Sequence, residues 1–252
     1  MYRLFLLLLS LTLLPLPTLG EAPLTAAEDL VAVYTWPENA PEAEASYVYR
    51  CTYPQFAGDS DTVLAINNTF QYEASDALGF ECPMAASDHP ADQGQMQVTL
   101  TYEITHMSAD NLSVCVYKTV TAGDYVSHIV KAFNFSLTGE KAGILTSLPR
   151  LLGILKPDES DEWLIQRQTD KVDNCTRELV WSRIEADMKK PDSPIYPDMT
   201  MEEFEWCFYP EEDFYLDADG NLVFFIQEGM IAPPEAGILV YVITMEELLD
   251  EI

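Results

Sequence analysis

The stretch from Phe214 to Glu247 constrains the fold more than any other part of this chain, because its strand, turn, loop and cap signals come in one fixed order. Phe214-Tyr215-Leu216 is a short apolar run, and Asp217 to Asn221 is a polar turn carrying Gly220. Leu222 to Ile226 reads as a second strand, and Ala232-Pro233-Pro234 with Gly237 marks a loop. A third strand runs from Ile238 to Ile243. Thr244-x-x-Glu247 then forms the capping-box pattern that opens a helical turn. The reading is a C-terminal three-strand unit.

Upstream, Tyr47, Tyr49 and Cys51 alternate with Val48, Arg50 and Thr52, which predicts a strand ending at Tyr53-Pro54. Val63, Ile66, Phe70, Ala74 and Ala77 recur every three or four residues, which predicts a helix over 61–78 with an N-cap among Asp59 to Asp61. Pro83 to Gly94 reads as a polar loop. Met96, Val98, Leu100, Tyr102 and Ile104 alternate as a strand with one buried face. Leu112 to Val120 is more uniformly apolar, as a central strand would be, and Tyr125 to Phe135 adds another. From 161 to 190 the pattern is helical: Val172, Cys175, Leu179 and Met188 form an apolar stripe beside Thr176, Val180 and Ile184. Pro191 to Pro197 breaks the helix, and Thr200-x-x-Glu203 caps a short one carrying Phe204 and Trp206. The fold class expected is α+β, an antiparallel sheet covered mainly on one face by the two longer helices.

Several of these segments share a pattern with a known family. The order Phe214-to-Leu216, Asp219-Gly220, Leu222-to-Phe225, Ile231-Ala232-Pro233 and Gly237 resembles the C-terminal domain of the RsiV-like extracellular proteins. That domain of unknown function occurs in the anti-sigma factor RsiV and in some polysaccharide deacetylases. Tyr53-Pro54, Ile66-Asn67 and Asn134-Phe135-Ser136-Leu137-Thr138-Gly139 are similar to further family motifs. The resemblance covers most of 46–250 and assigns Asp219, Gly220, Ile231, Ala232, Pro233 and Gly237 structural roles. Glu228-Gly229 stand where the family usually has an aromatic, and Ala122-Gly123-Asp124 replaces its glycine-rich turn. The resemblance implies an exported, non-enzymatic binding or sensing protein whose relatives recognise lysozyme, a cationic cell-wall hydrolase. Only two residues precede the N-terminal charge and its apolar run, so the expectation is a freestanding decoy or inhibitor without a cytosolic anti-sigma module. The alternative reading is a cell-envelope accessory or structural domain with no protein ligand, and behind it an uncharacterised hydrolase.

Residues 1–20 read as a secretory signal peptide: Arg3, a Leu-rich run, then Thr18-Leu19-Gly20 before Glu21. The run is shorter than the roughly 20 residues a membrane span needs. Residues 21–45 read as an acidic Ala/Pro/Glu linker, within which Leu30 to Trp36 could add a strand. The folded domain is expected over 46–252, with sub-lobes 46–150 and 151–252 as a further division. Its localisation is expected to be extracellular or associated with the cell envelope.

The net charge is −29, and after Lys190 there is no Lys, Arg or His. Nucleic acid and anionic membrane are therefore poor partners and a basic extracellular protein is electrostatically suited, although solubility in an exported protein or adaptation to salt accounts for the same acidity. Five widely spaced cysteines leave at least one unpaired in a monomer, and Cys175 with Cys207 is the candidate disulfide. Cys115 reads as a buried small hydrophobe.

No hydrolase or phosphate-loop motif is present, and no cofactor, metal or catalytic residue is assigned. His89, His106 and His128 read as structural or solvated, and nothing local supports Cys51 as a nucleophile. Asp217-x-Asp219-Gly220 has its glycine too early for a calcium loop, so a hairpin turn is favoured. Asn67, Asn111, Asn134 and Asn174 lie in Asn-x-Ser/Thr sequons. These are glycan candidates in a eukaryotic secreted protein and coincidence in a bacterial one, which the resemblance favours.

Overall fold

The computed structural model describes residues 24–89 and 94–252, so the signal-peptide segment lies outside the described residues. The first pieces are the two-residue strand β1 (Thr25–Ala26) and strand β2 (Leu30–Trp36). Strand β3 (Tyr47–Tyr53) follows, then β4 (Phe56–Ala57), which pairs with β1. The segment read as a linker therefore contributes structure. β2 pairs antiparallel with β3 along its whole length, from Leu30 opposite Tyr53 to Trp36 opposite Tyr47. The strand allowed for at Leu30 to Trp36 is present, with Val31 and Val33 facing solvent at the sheet edge.

Helix α1 (Asp61–Asp76) is capped by Ser60, whose hydroxyl accepts from Val63 N, rather than by one of the flanking aspartates. Val63, Ile66, Phe70 and Ala74 are its buried residues, and Ala77 continues the same stripe. Ala77–Glu81 forms a π-helical turn that runs into α2 (Cys82–Asp88). Much of the expected polar loop is thus helical, with Pro83 at the second position of α2 directly after the π turn.

Strands β5 (Met96–Met107), β6 (Asn111–Ala122) and β7 (Tyr125–Ser136) complete a five-stranded sheet of order β2-β3-β5-β6-β7. β3 and β5 pair in parallel because a helical crossover joins them; the other neighbours are antiparallel. α1 covers one face, where Phe70 meets Phe133 and Phe135 edge-on at 5.3 and 5.8 Å and stacks on Tyr53 at 5.6 Å.

The short helix α3 (Leu148–Leu151) precedes α4 (Glu162–Met188) and α5 (Met201–Glu205). Strands β8 (Phe214–Leu216), β9 (Leu222–Ile226) and β10 (Leu239–Ile243) then form an antiparallel three-stranded sheet, closed by α6 (Met245–Glu251). The C-terminal unit stands as read. Leu222, Phe224 and Ile226 pack under Val172, Val180 and Ile184 of α4. The alternate residue Phe225 points the other way, against Cys115 and Val130 of the large sheet. The two longer helices therefore cover two different sheets, and the layers run helix, sheet, sheet, helix. This explains the uniform hydrophobicity of β6: Leu112, Val114 and Val116 face α1, whereas Cys115 faces the small sheet.

Polar groups fix the seam between the sheets. Ser113 Oγ donates to Asn134 Oδ1 (2.7 Å) and accepts from Leu216 N (3.1 Å), while Asn134 Nδ2 donates to Phe214 O (2.9 Å). All are buried, so each loss would strand a partner in a dry interface. At the edge of β7, Gln227 Oε1 accepts from Val130 N (3.1 Å) and Gln227 Nε2 donates to Val130 O (2.7 Å). Glu228 accepts from His128 N (3.0 Å).

Candidate functional site

The segment from Thr200 to Asp213 combines charge with exposed aromatic surface, and its construction is rigid. Thr200 Oγ1 accepts from Glu203 N, and the Glu203 carboxylate accepts from Thr200 N, so the capping box is complete. Phe204 and Phe208, four residues apart, are fully buried and stack at 4.9 Å. Phe204 also lies 5.7 Å from Trp181, and Phe208 lies 5.9 Å from Phe224. With these two rings anchored, the rest of the turn must face out. Trp206 is 76% exposed and Tyr209 50%, with Tyr209 Oη donating to Trp206 O at 3.0 Å. Glu202, Glu203, Glu205 and Glu212 of the same segment are exposed as well. Exposed aromatic rings in an acidic segment are the chemistry of a surface that suits a basic partner.

Behind this patch lie acids held partly out of water. Asp213 Oδ2 accepts from Tyr209 N (2.7 Å) and closes the turn. Burial pushes its carboxyl up to about 6 despite that hydrogen bond. Glu211 is pushed up to about 7, first by burial and then by the nearby Asp173, with Arg150 opposing. Asp173 is itself raised by burial, against its ion pair with Arg177 at 3.8 Å.

The residues singled out in the sequence fall into structural positions. Asp217 is the hub of the β8–β9 turn: its carboxylate accepts from Asp219 N, Asn221 N and Asn221 Nδ2 at 2.9 to 3.0 Å. Partial burial would raise this carboxyl, but those hydrogen bonds and one from Gly220 N hold it below its ordinary value. The oxygens that would face a calcium ion are thus engaged by the turn itself. Gly220 has φ +83°, as the turn requires. Ile231 and Ala232 are buried, Pro233 leads into a short 3₁₀ turn, and Gly237 ends that turn at φ +69°.

The candidate disulfide is not formed. All five cysteines are free thiols, and the two proposed partners face different neighbours. Cys175 Sγ on α4 points to Glu251 O of α6 (3.4 Å), and Cys207 Sγ to Phe204 O of its own turn (3.3 Å). Cys51 is fully buried, and burial pushes its thiol up, the reverse of nucleophile activation. The histidine rings are occupied locally: His89 with Gly94 O, His106 with Asp217 O, and His128 with Thr119 Oγ1. Among the described residues no group of three or more His, Cys, Asp or Glu side chains could hold a metal ion. No helix among them is long and apolar enough to cross a membrane. Tyr209 escaped the sequence reading. The recurrence of Phe at 204 and 208 was the signal that could have exposed it, since it fixes which side of the turn is wet.

No protein-family model matches the chain, and no curated protein matches it. Solved structures do. A DUF3298 family protein from Bacteroides fragilis is similar with a TM-score of 0.51 at 13% identity, over 88% of this chain and 91% of that one. A DUF3298 family protein from Pseudomonas aeruginosa is similar with a TM-score of 0.50 at 12% identity, over 91% and 94%. At such identities the likeness establishes the fold, and this chain shares the architecture of DUF3298 family proteins across nearly its full described length.

Proposed function

We propose that this protein is an exported, non-enzymatic binding module that captures a cationic extracellular protein, of which lysozyme is the type to try first. The observation that carries this reading is the segment that exposes Trp206 and Tyr209 together with Glu202, Glu203, Glu205 and Glu212. Trp and Tyr supply large contact area at low entropic cost, and the surrounding carboxylates steer a basic partner toward them. The absence of any Lys, Arg or His after residue 190 leaves nothing in this part of the sequence to repel such a partner. The fold likeness supports a domain of this architecture and carries no ligand with it.

The test is binding of lysozyme followed calorimetrically as ionic strength is raised. The expected result is binding at low salt that weakens steadily with added salt. Trp206→Ala is expected to weaken it about 10-fold or more. No binding at low salt, or binding indifferent to both salt and Trp206, overturns the reading.

A further inference from the structure

A strand at the edge of a sheet turns unpaired N–H and C=O groups outward, and proteins blunt such edges with charges, prolines or covering groups. Two outer strands of this fold are blunted in that way. Along β7, Gln227 takes both backbone groups of Val130, and Glu228 accepts from His128 N. Further along, Thr146 N donates to Asn134 O, and Ser136 N donates to Ile144 O. Along β8, Leu216 N donates to Ser113 Oγ, and Phe214 O accepts from Asn134 Nδ2. β10 closes the other side of the small sheet, and among the described residues nothing hydrogen-bonds to its outer edge.

The ladder fixes which residues of β10 face outward. Phe225 N donates to Asp213 O on the β8 side, so the alternate residues Leu222, Phe224 and Ile226 turn their backbone groups to β10. Their partners there are Ile243, Tyr241 and Leu239. Val240 and Val242, in between, therefore present their N–H and C=O groups to solvent. Their side chains are open as well, 53% and 55% exposed, whereas Tyr241 and Ile243 are buried. The run Leu239–Ile243 pairs with β9 without a bulge and contains no charge, proline or glycine. Acids stand at both ends instead: Glu235 in the turn that leads into β10, and Glu246 in the first turn of α6. Both are exposed, and neither makes an ion pair among the described residues. This edge suits an added strand that is apolar in its middle and cationic at its ends. A second copy of this chain would bring the same acids against these, with a net charge of −29 on each side.

We propose that β10 binds an extended segment of a partner protein as a fourth strand of the small sheet. Val240 and Val242 bond the segment's backbone, and Glu235 and Glu246 meet Lys or Arg at its ends. The site shares no residue with the Trp206 segment, so the two readings stand or fall separately. The probe is a capped peptide, Lys-Thr-Val-Thr-Val-Thr-Lys, and its control has the same core between two Glu. Each is titrated to about 5 mM, the weak end of specific affinities, while hydrogen exchange is read amide by amide by NMR. The lysine peptide is expected to slow exchange at Val240 and Val242 about 10-fold, and the glutamate peptide to bind at least about 10-fold more weakly. Val242→Pro deletes one outward donor and leaves the ladder to β9 intact, so it is expected to keep the unfolding midpoint and weaken the lysine peptide about 10-fold or more. Val240→Lys keeps every backbone group, adds a cation that repels the probe, and is expected to weaken it comparably. Glu235→Gln with Glu246→Gln is expected to bring the two peptides within about 3-fold of each other. Val33→Lys, on the outer strand β2 of the large sheet, is expected to change nothing. The proposal is overturned if the lysine peptide does not bind, binds without protecting these two amides, or binds Val240→Lys as it binds the parent. Equal binding of both peptides, or an equal loss in Val33→Lys, overturns it as well. A dimer of the protein alone that Val242→Pro dissociates would assign the edge to a second copy instead.

Discussion

Glu211 carries the clearest residue-level consequence. An ordinary glutamate titrates near 4.5, and this one near 7. Between those values the folded chain keeps a proton that the unfolded chain has released, so stability falls as pH rises through this window and is regained on acidification. Asp213 acts in the same direction between 3.8 and about 6. The protein is therefore expected to be more stable near pH 5 than near pH 8, opposite to a chain whose acids are all ion-paired. Urea unfolding at the two pH values checks this, and Glu211→Gln is expected to narrow the gap by about 1–2 kcal/mol, part of the full shift because water screens a half-buried group. An unchanged gap in the variant would remove Glu211 from the account. The sequence showed none of this. Glu211 is one acid among 42, and only folding brings Asp173 and Arg150 beside it.

At the scale of elements, what could be read locally was read. The stripe Val63-Ile66-Phe70-Ala74-Ala77 is the buried face of α1, and the cap at Thr200 is complete, because both depend on spacing along a few turns. The cap at Thr244 forms only its Thr244 half, since Glu247 turns instead to Arg183 of α4. What escaped depended on partners distant in sequence. The register of β2 against β3 cannot be seen in its composition, and the stripe of α4 says that it is covered but not by which sheet. The edge of β7 shows the same dependence: Gln227 behaves as a one-residue strand, giving and taking a hydrogen bond with Val130. Gln227→Ala is expected to cost about 1–2 kcal/mol, from two hydrogen bonds of about 1 kcal/mol each. Hydrogen exchange at the Val130 amide should speed up with it, and unaltered exchange would show that the side chain does not guard the edge.

For the molecule as a whole, the organising fact is that two sheets, each with its own helix, meet face to face. Each has its own apolar cluster, one under α1 and one under α4. A third, smaller cluster and the Ser113–Asn134 network join them.

The seam also supplies a built-in clock. Cys115 is wholly shielded between the sheets, and burial pushes its thiol up to about 12. It can be alkylated only while the sheets are parted, when the thiol returns to its ordinary acidity and meets solvent. The labelling rate at that one sulfur, resolved by mass spectrometry from the more accessible Cys175 and Cys207, therefore times how often the lobes separate. Asn134→Ala, which cuts the polar tie across the seam, is expected to quicken it at least about 5-fold while leaving Cys51 and Cys82 protected. If all buried thiols accelerate together, the seam does not open on its own and the protein breathes as one unit.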